Sequence, residues 1–185
     1  MIDTTAAILL SMIAAATPLI FAATGELITE KSGVLNLGVE GMMLLGAVSG
    51  FATTVATGSP ALGVLAGALA GTVMSLLFAF LTLTMLANQV ASGLALTLFG
   101  VGLSALLGQD FVGTPMDALP KLAIPVISDI PLIGPLLFGH DPLVYLSVAL
   151  IGVVYWFLNH SRGGLVLRAV GENHHAAHAI GYNVI

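Results

Sequence analysis

Long apolar runs broken by short polar knots set the layout of the chain. Crossing a hydrocarbon core about 30 Å thick takes about 20 apolar residues in a helix. The first such run covers 6–27 and is followed by GELITEKSG, which holds Glu26, Glu30 and Lys31. A second covers 34–56 and ends at the turn Gly58-Ser59-Pro60. A third, 61–87, is long enough to tilt or bend, and Asn88-Gln89 divides it from a fourth at 90–107. The stretch 108–142 differs, since it holds six of the chain's eight prolines. A fifth run covers 143–158, and 159–185 is polar again. The prediction is an all-α polytopic transmembrane bundle of about five spans forming a single domain.

Composition excludes the alternatives. Charged residues make up 7% of 185 and hydrophobic ones 58%, whereas a soluble domain carries about 25% charge. The runs are uniformly apolar and longer than the alternating segments of about ten residues expected of a β-barrel. Helices are the default in lipid because each span satisfies its own backbone hydrogen bonds. The formal net charge of −5 excludes a basic nucleic-acid binder, and the absence of cysteine excludes disulfides and thiolate metal sites. The opening MIDTTAAILL lacks the positive region of a cleaved signal peptide, so the first run reads as a retained span.

Basic residues near span ends set orientation. Lys31 follows span one, and Arg162 and Arg168 follow span five, so both loops fall on one side, read as cytoplasmic. The 108–142 loop falls outside, with four aspartates (110, 117, 129, 141) against Lys121. It reads either as an outer connector or as a lid or docking surface for an external partner.

Glycines thin the spans. Gly63, Gly67 and Gly71 recur every four residues in span three, Gly46 and Gly50 repeat the device in span two, and Gly100 and Gly102 thin span four. Small residues let helices approach closely where lipid offers no hydrophobic drive. Polar residues inside spans are costly and therefore informative. Asn36 and Glu40, four apart, are expected on one helical face, lining a substrate path or fixing a neighbouring helix end. Asn88 and Gln89 read as a turn or cap, or as a gate.

The closing stretch holds three histidines, and His174 and His178 would share a helical face. HHxxH lacks the glutamate of the HExxH zinc motif, and no third ligand of suitable type is placed locally, so no metal site is expected. Gly171 breaks the chain, Asn173 can cap, and Gly181 can terminate a helix of about two turns. Ala176, Ala177 and Ile180 are expected on its apolar side and the histidines on its wet side. A helix so short needs a partner surface to hold it.

Two stretches carry a family resemblance. TGELITEKSGVLNLGVEGMMLLGA, residues 24–47, resembles the second-span signature of ABC importer permeases in the branched-chain amino acid, ribose and nucleoside group. It is most similar to the branch assigned to nucleosides and simple sugars. LRAVGENHHAAHAIGYNV, residues 167–184, resembles the group's cytoplasmic loop, which docks on the ATPase subunit as a coupling helix. A proline and a charged residue usual in the family are replaced by His174 and His175. The family carries further spans after this loop, so the chain is expected to be C-terminally truncated.

The resemblance implies a permease subunit in a cell inner membrane, importing a small polar solute of nucleoside or sugar-like type. Its implied partners are cytoplasmic ABC ATPases, a second permease (identical or not) and an extracytoplasmic solute-binding protein, all in or beside the lipid bilayer. The chain itself is expected to be no enzyme and to bind no cofactor, ATP and Mg belonging to the ATPase. Arg168, Gly171, Glu172, Asn173, Ala176, Ala177, Ile180 and Gly181 are the residues implied in ATPase coupling. The alternative is an ion- or proton-coupled secondary transporter with Glu40 as the titrating group. A non-transporting scaffold is a third reading, and a membrane enzyme is disfavoured because no nucleophile–base set appears.

Overall fold

The computed structural model describes residues 2–116, 119–120, 139–179 and 181–182. Most of the proline-rich 108–142 stretch, with Asp117, Lys121 and Asp129, lies outside them, as does Ile180. The helices are α1 (Ile2–Lys31), α2 (Val39–Thr57), α3 (Pro60–Ala79), α4 (Gln89–Gly108), α5 (Pro142–His160), α6 (Arg162–Glu172) and α7 (His174–Ala179). A π-helical turn, Phe80–Thr84, extends α3, and a 3-10 turn, Gln109–Phe111, extends α4. Among the described residues there is no strand, and five helices are long and apolar enough to cross a membrane.

Two helix ends differ from the sequence expectation. α1 continues through the polar knot to Lys31, giving 30 residues and a length of about 45 Å, well beyond the hydrocarbon thickness. Glu26 and Glu30 are therefore helical, because charged residues outside the apolar layer do not break a helix. In the other direction, α2 begins only at Val39, and 34–38 is not helical.

The described residues fall into two compact units, one within 1–28 and 118–166, the other within 29–117 and 167–185. In the first, Asp141 caps α5 by accepting from the Leu143 and Val144 amides (2.9 and 3.3 Å). The α5–α6 corner is closed by Ser161, whose hydroxyl donates to the Phe157 carbonyl (2.6 Å) and accepts from the Gly164 amide (2.9 Å). Gly164 is buried in this corner, where a side chain would strike the Phe157 carbonyl and Leu158.

In the second unit α2 packs against both α3 and α4 around Met42, Met74, Phe78 and Leu96, with Val34 and Leu45 at the edge. Large apolar side chains such as Leu65, Leu69, Val73 and Leu76 on α3 stay exposed, as expected for a surface facing lipid. Past the π turn, Leu86 takes a left-handed backbone (φ 53°), a conformation that crowds any Cβ.

Candidate functional site: the docking end and the entry to α2

The short closing helix α7 is fixed by its own sequence. Asn173 Oδ1 accepts from the Ala176 amide (3.0 Å), which is the N-cap bond that satisfies an otherwise orphaned donor. At the other end Gly181 has φ 91°. Its amide donates to the His178 carbonyl (3.0 Å), and the Tyr182 amide donates to the Ala177 carbonyl (3.1 Å). That pair of bonds is a Schellman stop, which requires a left-handed residue and so favours glycine.

The face assignment of α7 changes. Ala177 is buried at 3% exposure, whereas Ala176 is exposed together with His174, His175 and His178. Ala176 and Ala177 therefore do not share a side. Neighbouring positions on a helix point about 100° apart, and of the six helical positions only Ala177 is buried. The His174 and His175 rings lie 4.5 Å apart, centre to centre. No group of three or more His, Cys, Asp or Glu among the described residues is arranged to hold a metal ion.

α6 leads into this helix. Glu172 is exposed, and Arg168 is half-buried with its Nε lacking a hydrogen-bond partner among the described residues. Gly171 lies against the end of α1: a Cβ there would strike the Lys31 carbonyl oxygen and stand 2.8 Å from the Gly33 amide nitrogen. A Cβ on Gly33 would in turn stand 3.0 Å from both Cα and O of Gly171. Gly33 itself has φ 83° and forms a second Schellman stop, with its amide on the Glu30 carbonyl and the Val34 amide on that of Thr29, both at 3.0 Å.

Beyond Gly33 comes the non-helical entry to α2, where α4 supplies the missing hydrogen bonds. Gln89 Oε1 accepts from the Leu35 amide (2.9 Å), and the Thr97 hydroxyl donates to the Leu37 carbonyl (2.8 Å). Asn36 is buried, and its Oδ1 accepts from the Gly38 amide (2.9 Å). Asn36 thus precedes the helix, and the expected Asn36–Glu40 helical face does not form. Glu40 stands in the first turn of α2 and is exposed. Its negative charge suits a helix N-terminus. Asn88 caps α4 by accepting from the Ala91 amide (3.0 Å).

The glycine pattern resolves into two crossings. Gly46 and Gly50 of α2 meet Gly67 and Gly63 of α3 backbone to backbone, but Gly71 has nothing within 4 Å of a Cβ position. On the other side of α2, Gly41 meets Gly100 of α4: a Cβ on Gly100 would lie 2.5 Å from Gly41 Cα. Gly33, Gly41, Gly93 and Thr97 escape sequence reading as site residues. The spacing Gly93–Thr97–Gly100 on one helical face was the available signal.

Comparison with known proteins follows the same lines. The sequence profile of the family described as branched-chain amino acid transport system/permease component matches residues 8–185. TsgC13 of Haloferax volcanii, named provisionally as a glucose ABC transporter permease protein, is 40% identical over 97% of this chain and 56% of its own length. NupC of Lactococcus lactis, a nucleoside ABC transporter permease protein, is 33% identical over 99% of this chain and 61% of its own. NupQ of Bacillus subtilis, a guanosine ABC transporter permease protein, is 33% identical over 91% and 57%. The chain thus spans little more than half the length of these relatives. No solved structure matches it. With five helices of membrane-crossing length and a profile match that leaves only the first seven residues uncovered, the chain is a multi-pass membrane protein and belongs to the permease component family of branched-chain amino acid transport systems.

Proposed function

We propose that this chain is part of the transmembrane permease subunit of an ATP-driven importer. The observation that carries the reading is α7: a helix of six residues, stopped at both ends and anchored through Ala177, with its other described positions open to a partner. On the orientation set by Lys31, Arg162 and Arg168 it stands on the cytoplasmic side, where ABC ATPase subunits would bind it. ATP and Mg belong to those subunits, and this chain contributes no catalytic group. A second permease subunit completes the pathway across the inner membrane, and a solute-binding protein feeds it from outside.

The solute class follows from what the relatives are named for. Glucose and nucleosides share a polyhydroxylated sugar ring, and a sugar-bearing small solute is the class assigned here. The test is uptake of labelled guanosine and of glucose into proteoliposomes holding the full-length permease, its ATPase and its binding protein. ATP-dependent uptake of either, abolished by vanadate and indifferent to an uncoupler, is expected. Uptake that runs without ATP and collapses with the proton gradient would establish a secondary carrier instead.

A further inference from the structure

The resemblance places Gly171 among the coupling residues, and its contact with Gly33 is among the closest backbone approaches in its unit. It joins two segments far apart in sequence. On one side is Gly171, near the end of α6 and two residues before the Asn173 cap of α7. On the other is the Schellman stop of α1, which runs directly into the non-helical entry to α2. Both partners are glycine, both approaches are to backbone atoms, and a Cβ on either would meet the other at 3.0 Å or less. Backbone pressed on backbone cannot be relieved by a rotamer change, so displacement of one segment displaces the other.

The entry to α2 is in turn tied to α4. The Leu35 amide is held by Gln89 and the Leu37 carbonyl by Thr97. Gly93 lies under the same segment, where a Cβ would stand 2.9 Å from the Leu37 amide nitrogen. A contiguous path of hydrogen bonds and backbone contacts therefore runs from α7 through Gly171, Gly33 and residues 34–38 to α4. Coupling between distant sites requires such a physical connection.

We propose that the Gly33–Gly171 contact is where movement of the docking helix enters the membrane bundle, making these two glycines positioning residues for transport. The proposal rests on the permease reading above and predicts a variant that binds its ATPase yet fails to respond to it. These 185 residues hold no cysteine, so Leu35→Cys, in a full-length permease and ATPase with any remaining cysteines replaced, supplies a single thiol on the entry to α2, at a position already exposed.

The experiment uses the full-length permease with its ATPase in proteoliposomes and reads the maleimide labelling rate of the L35C thiol before and after vanadate trapping of nucleotide. In the parent background the rate is expected to change on trapping. Gly171→Ala and Gly33→Asn place a Cβ into the contact from opposite sides, and asparagine tolerates the left-handed backbone. Both are expected to retain the ATPase on purification and to lose the labelling change. A change that persists in either variant overturns the proposal, as does a parent that shows none. Loss of ATPase binding in both variants also overturns it, since the contact would then serve assembly. Failure of the unmodified permease to bind any ATPase instead sinks the permease reading, a result distinguishable from all of these.

Discussion

Gly100→Ala is the substitution whose cost the structure defines most closely. The added carbon would lie 2.5 Å from both Cα and O of Gly41 and 2.7 Å from its carbonyl carbon. Ordinary van der Waals separation is about 3.5–4.0 Å, so α2 and α4 must part by roughly 1 Å. Overpacking of this kind costs about 1–3 kcal/mol. Separation also stretches the Thr97–Leu37 hydrogen bond, worth about 1 kcal/mol. Alanine returns up to about 1 kcal/mol of helix propensity, leaving a net loss of about 1–3 kcal/mol. The assay is reversible SDS unfolding of the full-length permease in mixed micelles, followed by circular dichroism. Gly102→Ala is the control, since a Cβ there meets nothing within 4 Å, and it should be neutral or slightly stabilising. Equal midpoints for the two variants would refute the crossing.

The second crossing predicts that Gly63→Ala, which would strike the Thr54 hydroxyl and the Gly50 backbone, lowers the same midpoint while Gly71→Ala leaves it unchanged; a reversed order would reject the α2–α3 packing. Asn173→Ala removes the N-cap of α7 and should cost about 1 kcal/mol locally, read as faster amide exchange over 174–179 with α2–α4 unaffected. Unchanged exchange there would mean the cap does not hold the helix. Leu86→Gly relieves a left-handed leucine and should raise stability by about 1 kcal/mol, and a lowered unfolding midpoint would count against strain at that position.

The spans were legible because lipid demands them: runs of apolar residues without charge leave few alternatives to helices, and five helices of sufficient length are present. The ends of α7 were legible too, since Asn173 and Gly181 act locally through bonds their own neighbours provide. What the sequence could not show was anything that depends on a partner segment. The start of α2 is delayed to Val39 because Gln89 and Thr97, more than fifty residues on, satisfy the backbone of Leu35 and Leu37. Helical periodicity cannot register a break whose hydrogen bonds come from another helix. The three glycines of span three look equivalent in sequence, yet only Gly63 and Gly67 meet α2 backbone to backbone, while a Cβ on Gly71 would have nothing within 4 Å. Ala176 and Ala177 are likewise indistinguishable by residue type, yet only Ala177 is buried.

Glu40 shows how magnitudes narrow what the fold leaves open. Its carboxylate is exposed in the first turn of a helix of membrane-crossing length. The α2 N-terminus attracts it, but a helix end contributes only about 0.3–1 kcal/mol to a nearby charge. Acidic side chains within the apolar layer cost about 2.5–3.5 kcal/mol at mid-span and less toward a span end. The helix end therefore offsets only part of the cost of facing hydrocarbon, and the balance must come from water or a hydrogen-bond donor. Leu44, one turn along the same face, is exposed as well, so an aqueous surface there would begin at Glu40 and give way to an apolar one within a turn.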